Sequence, residues 1–334
     1  MYKNQTPTGN FHLQGVDVFK YIMALAVVAI HVEYCFDLHF PAAVKWFNSL
    51  AVPFFFTVSG FLMSRTLSVK SNDNDRAAYL KARATKILKL FLTWLAIYLP
   101  LTLVWGRYNH VEFSRYIQDN IMMIVTGGEM ELAYPLWFLY SLFLFTGAMW
   151  LTFNREKLRA CVYTAIILSY IGYLQLIQVE TESATAAVIM KYYPFRAVSG
   201  GIFVMAGMLV YRFADFIMNR YVALTMIALS FAMSVFNLPF YEIIGGCGIF
   251  LCSVLIGFKG SERRFMALRT SSMWIYYLHM YVIAFFLMLP LPAGLNTSAA
   301  SIYIAVVTIT AALASVLTYL QKKPSFALLG MLTR

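Results

Sequence analysis

The sequence predicts an all-α integral membrane protein, a helical bundle of about ten transmembrane helices with both termini in the cytoplasm. Three observations carry that expectation: composition, the length of the apolar runs and the placement of basic residues. Of 334 residues, 61% are hydrophobic, 17% aromatic and only 12% charged, which excludes an ordinary water-soluble domain. Crossing about 30 Å of hydrocarbon takes about 20 apolar residues, and ten segments meet or approach that length. Such segments close their backbone hydrogen bonds internally, as lipid demands.

The runs fall at 16–34, 46–64, 84–104, 135–153, 159–177, 196–214, 221–238, 240–258, 272–290 and 300–320. Asp17 and Lys20 open the first. In the second, Pro53 bends the start of the helix, while Ser59 and Gly60 permit close backbone approach to a neighbour. The third follows the basic stretch Lys81–Lys89. Residues 116–125 are too few to span and predict an interfacial or re-entrant helix. Gly127 and Gly128 suit a turn, and Trp137 and Tyr140 anchor the fourth run at an interface. Residues 237–240 make a very tight connection between the seventh and eighth runs. Residues 1–15 are then a cytoplasmic segment, 16–320 the transmembrane domain and 321–334 a cytoplasmic tail. Residues 1–10 lack the small-residue cleavage signature of a secretory signal, so the first run is expected to be retained.

Charge supports this arrangement. With a cytoplasmic N-terminus, only Lys45, Arg107, Arg115, Lys191 and Arg196 of the 26 Lys and Arg fall outside, a strong positive-inside bias. The net charge of +11 is therefore a cytoplasmic surface facing anionic membrane lipid and does not argue for nucleic acid. Four Cys give neither metal spacing nor a disulfide framework. No zinc, Walker or dinucleotide motif is present, and no metal is predicted.

Ionisable residues inside membrane helices carry the functional weight. Lys20 and His31 are separated by about 16 Å along one helix and return to nearly the same face. A neutral imidazole at His31 can take a proton from an attacking hydroxyl and return one to a leaving group; the alternative is an interfacial histidine bonded to a neighbouring helix. Lys20 either snorkels to lipid phosphate or anchors a phosphorylated donor, with Asp17 on the same face to pair with it or direct it. Arg83 and Lys86 share a face and either set orientation or receive phosphate oxygens.

Toward the outer side, Glu129 or Glu131 is a candidate to orient His31 or a substrate hydroxyl, against ordinary loop solvation. Trp137 offers a flat surface to a sugar or lipid headgroup. Arg196 is a candidate to hold an anionic acceptor. Tyr34, Ser59 and Trp137 are candidate donors to a developing oxyanion, with Ser59 and Gly60 read chiefly as architecture. His279, deep in the ninth run, is expected to make a structural hydrogen bond to another helix.

Taken together, these motifs resemble the membrane acyltransferase-3 family, which includes integral-membrane O-acetyltransferases of bacterial surface polysaccharides. The resemblance rests on Gly15-Val-Asp-Val-Phe-Lys20 leading to His31, on residues 52–62 around Ser59-Gly60, on Arg83-Ala-Thr-Lys86, on Leu136-Trp-Phe-Leu139 and on Ser271–His279. It runs over nearly the full length. Where the family has an arginine before the first-helix histidine, this chain has Lys20, and Lys86 stands in place of the second member of an arginine pair. Charge is preserved and the bidentate fork is lost.

The resemblance implies a membrane-bound O-acyltransferase of a bacterial inner or cytoplasmic membrane. Its donor would be acetyl-coenzyme A or another acyl-coenzyme A, held at Lys20, Arg83 and Lys86. The acceptor would be a hydroxyl of a glycan or lipid-linked saccharide, with His31 as the reacting base. A homo-oligomer is compatible with this reading. The family also resembles the membrane portion of vancomycin-resistance serine racemases, which implies an alternative: a small-molecule or amino-acid carrier in which His31 and Arg196 hold a zwitterion. A lipid-binding structural or sensory protein is a third class, disfavoured by the short loops.

Overall fold

A computed structural model describes residues 13–180, 195–289 and 299–333, and the regular structure among them is helical. In chain order the helices begin with α1 (Leu13–Cys35), α2 (Ala42–Ser49), α3 (Ala51–Ser68), α4 (Asp73–Tyr108) and α5 (Phe113–Gly127). There follow α6 (Trp137–Leu151), α7 (Glu156–Glu180), α8 (Phe195–Ser199), α9 (Gly201–Arg212) and α10 (Ala214–Ile217). The chain continues through α11 (Arg220–Val235), α12 (Tyr241–Leu255), α13 (Glu262–Met288) and α14 (Ala299–Leu320). Short 3-10 turns occupy Tyr134–Leu136 and Pro324–Met331.

Six of these stretches are long and apolar enough to cross a membrane: Leu13–Cys35, Ala42–Ser68, Asp73–Tyr108, Tyr134–Leu151, Glu262–Met288 and Ala300–Leu320. The expectation of about ten is corrected accordingly, for the described residues. Three expected spans fall on shorter apolar helices, Ala197–Arg212, Arg220–Val235 and Tyr241–Leu255. At 1.5 Å per residue a helix of 16 residues reaches about 24 Å, short of the hydrocarbon thickness. The run at 196–214 ends short at Phe213, where φ of -104° and ψ of 15° leave helical geometry, while Gly200 keeps helical dihedrals between α8 and α9. The run at 159–177 lies on α7, 25 residues long, which interleaves Tyr163, Thr164, Ser169, Tyr170, Tyr173 and Gln175 with its apolar residues. Conversely, α4 extends well beyond its predicted run. It has 36 residues, about 54 Å, because its polar first turns are capped by the Asn72 side chain and Pro100 does not end it.

Among the described residues the chain divides into two compact units, one holding those up to Phe55 and from Phe216 onward, the other those from Phe56 to Asp215. In the first, α1 is the central helix and lies along α13, with α12, α14 and α2 also against it. Its buried residues include Gly15, Ala24, Ala26 and Ala29, small enough to let partner backbones come close. A Cβ at Gly15 would overlap the carbonyl oxygen of Ser253 in α12. Asn237 and Phe240 adopt left-handed backbone, φ 50° and 69°, which reverses the chain tightly between α11 and α12.

In the second unit α4 packs on α6, and α8 on α6 and α7. α3 and α9 interlock through two glycines: a Cβ at Gly60 would strike the Val204 carbonyl, and one at Gly207 the Thr57 carbonyl. α5, 15 residues long, is too short to span. The Glu112 carboxylate caps its N-terminus and left-handed Gly128 ends it.

Candidate functional site

Because α1 and α13 pack side by side, the histidine of each meets the other. The ring centroids of His31 and His279 are 5.1 Å apart, with planes tilted by 36°. His31 is half-buried and His279 is completely buried. Nδ1 of His279 lies 3.0 Å from the carbonyl oxygen of Ile275, one turn earlier in its own helix. A carbonyl only accepts, so Nδ1 carries the hydrogen and Nε2 is the lone-pair nitrogen of the neutral ring. That Nε2 is buried without a hydrogen-bond partner. The bond His279 makes is thus within its own helix, while its ring faces the histidine singled out in the first run.

Two ion pairs fix α1 near its ends. Asp17, 3% exposed, accepts from both Nε and Nη2 of Arg269 on α13, at 2.8 and 2.7 Å. This bidentate geometry sets the register of the two helices as well as neutralising a buried charge. At the other end Glu33 accepts from Lys45 at 2.8 Å and from the Phe40 amide at 3.4 Å, closing the connection from α1 to α2. Tyr303 of α14 donates to the Leu25 carbonyl at 3.3 Å and meets the Phe40 ring edge-on. Lys20 is half-buried on α1, and Tyr34 is 71% exposed beyond the histidine pair.

The remaining candidates belong to the other unit. On α4, Arg83 donates to the Tyr79 hydroxyl at 3.4 Å and keeps its Nε buried without a partner, whereas Lys86 is exposed. The Glu131 backbone is clamped from both sides: its amide donates to Asn120 Oδ1 at 2.9 Å, and its carbonyl accepts from Thr102 at 2.7 Å. The hydroxyl of Tyr116 donates to the Thr102 carbonyl; burial, and then the nearby Glu131 carboxylate, push its ionisation upward. Glu129 is half-buried just after Gly128. Trp137 is only 9% exposed and packs on Phe56 at 5.6 Å, so its ring is part of an aromatic cluster. Ser59 is half-buried and Gly60 buried on α3. The backbone of Arg196 lies in α8; its side chain lies outside the described residues. No group of three or more His, Cys, Asp or Glu able to hold a metal occurs among the described residues.

The sequence alone does not mark Arg269, because it sits in the basic cluster that orientation alone explains. The signal that would have found it is Asp17, since a carboxylate at the start of an apolar helix requires a cation from elsewhere. The sequence does not say which member of 259–269 supplies it.

A family model described as an acyltransferase domain, of the acyltransferase-3 type, matches residues 13–320. Among curated proteins, an amino-acid racemase of Enterococcus faecalis is 28% identical over 169 residues, 49% of this chain and 22% of the relative. A serine/alanine racemase of Enterococcus gallinarum is 30% identical over 146 residues, 42% of this chain and 19% of the relative. The matches thus span about a fifth of the length of these relatives. No solved structure matches.

Proposed function

The chain belongs to the acyltransferase-3 family of membrane acyltransferases, and from that premise we propose that it moves an acyl group, acetyl by preference, from a cytoplasmic acyl-coenzyme A to a hydroxyl of an extracytoplasmic or membrane-linked glycan. The observation that carries this reading is the buried contact of His31 with His279, an imidazole placed at a membrane helix interface with a second imidazole behind it. In the reaction His31 takes the proton of the acceptor hydroxyl as its oxygen attacks the thioester carbonyl. The carbon–sulfur bond breaks, and the proton ends on the departing thiolate. Lys20, Arg83 and Lys86 are assigned to the donor's phosphates, and Tyr34, Trp137 and Arg196 to the acceptor. Glu129 or Glu131 is assigned to orienting His31 or the acceptor hydroxyl.

The basic residues support cytoplasmic termini in a bacterial inner membrane. The test is reconstitution in proteoliposomes with isotope-labelled acetyl-coenzyme A and an envelope-glycan fraction. Label enters glycan with the wild-type chain, and folded His31→Ala loses that transfer by at least about a hundredfold. Lys20→Ala raises the KM for donor while kcat changes little. Equal labelling by His31→Ala would remove the histidine from the chemistry.

A second reading is carriage of an amino acid by the same chain, favoured by its similarity to the amino-acid racemase and the serine/alanine racemase. Amino-acid flux into vesicles without any acyl donor, together with no labelling from acyl-coenzyme A, selects it.

A further inference from the structure

A ring nitrogen buried in an apolar interior without a partner opposes stability, and such groups in a native fold call for an explanation. His279 Nε2 is in that position. An apolar residue of similar volume would fill the space without this penalty, and the Ile275 carbonyl occupies only the other nitrogen. What the ring does face is His31, at a centroid spacing of 5.1 Å that suits two imidazoles meeting edge to edge. At that spacing a ring nitrogen of His31 can come within direct hydrogen-bond distance of the lone pair.

We propose that His279 is the positioning residue of His31: its Nε2 accepts a hydrogen bond from one ring nitrogen of His31, fixing the tautomer in which the other nitrogen is the base toward the acceptor hydroxyl. This deepens the acyltransferase reading and rests on it. In the step, the hydroxyl proton passes to the outward nitrogen of His31, the oxygen–acyl bond forms and the carbon–sulfur bond breaks. The proton then leaves His31 for the thiolate, giving ester and free thiol. His279 exchanges no proton. It keeps its own hydrogen on the Ile275 carbonyl and steadies the His31 imidazolium through the lone pair, the part a carboxylate plays behind a catalytic histidine elsewhere. The relay of roles is local to α1 and α13, so the Asp17–Arg269 pair that sets their register also sets this contact.

Two near-isosteres separate positioning from packing. An asparagine amide reaches the Ile275 carbonyl but stops short of the Nε2 position; a glutamine places an acceptor oxygen near it. With the reconstituted full chain, His279→Asn lowers kcat about a hundredfold and leaves the KM for acetyl-coenzyme A unchanged, and His279→Gln recovers at least about a tenfold part of that loss. Wild-type kcat in folded His279→Asn overturns the proposal, as does an equal loss in both variants. A second readout does not depend on turnover. In protein carrying nitrogen-15 histidine, the His31 signals, assigned by their loss in His31→Ala, report one fixed tautomer in the wild type and an averaged one in His279→Asn. Identical His31 signals in the two overturn the pairing. If the wild type transfers no acyl group from any donor, the acyltransferase reading fails, and the nitrogen-15 comparison still decides whether His279 holds His31.

Discussion

Asp17 illustrates at the residue scale what a membrane helix does with a charge. The carboxylate is nearly completely buried, and the Arg269 fork that neutralises it is half-exposed. Removing the cation strands the anion, which is more harmful than removing both. Arg269→Ala is expected to lower stability by about 2 kcal/mol, less than for a fully enclosed pair because solvent already screens half of the guanidinium. The double variant Asp17→Ala/Arg269→Ala should recover part of that, as read from thermal unfolding midpoints in detergent. Lys20 and His31 were legible because one helical face presents both. The partner of each polar group was not, since Asp17 and Arg269 stand 252 positions apart and periodicity carries no information about which distant helix lies alongside. Trp137 shows the converse: interfacial aromatics are readable as a type, whereas the burial of this ring against Phe56 depends on α3.

Helices as units were legible where a long apolar run stood uninterrupted, as in α1, α6, α13 and α14, and less so where a run ends early. The stretch 196–214 reads as one apolar segment, yet its helix stops before Phe213, whose backbone leaves helical geometry. Gly60 was readable as a close-approach residue, but its counterpart Gly207 on α9 was not. Each meets a carbonyl of the opposite helix, so neither can acquire a side chain without the helices moving apart. Gly60→Ala and Gly207→Ala are each expected to destabilise by about 1–3 kcal/mol, measured by the same unfolding midpoints, whereas Gly147→Ala, with open space around it, should be harmless. The start of α5 offers a pH test. Glu112 accepts from the Ser114 amide and hydroxyl and the Arg115 amide, which holds its carboxyl below the ordinary 4.5. A depressed carboxyl contributes its stabilisation above the unfolded value and loses it as pH falls through the folded one. Amide exchange in the first turn of α5, corrected for intrinsic rate, should therefore accelerate only below pH 4.5, and Glu112→Gln should remove that dependence.

For the whole molecule, membrane character was legible in composition alone, while the division of the chain was not. Apart from α2, the unit built on α1 draws its other helices from the last third of the sequence, an arrangement that depends on contacts between segments with no local signature. A chain ended after Leu255 keeps α1, α2, α11 and α12 but lacks α13, and with it Arg269 and His279. Such a truncation should insert yet fail to protect α1, so that a cysteine placed at Val28, fully buried in the intact protein, reacts with a maleimide in the truncated chain and not in the full one. The same connectivity has a bearing on biogenesis. Ribosomes add about 5–20 residues per second, so Asp17 is made about 13–50 seconds before the arginine that neutralises it. Through that interval the first helix resides in the bilayer with an unanswered carboxylate, exposed to whatever insertase or protease recognises unfinished membrane proteins. The histidine contact forms only after α13 arrives, so under the proposed mechanism an interrupted translation product lacks the pairing on which transfer depends.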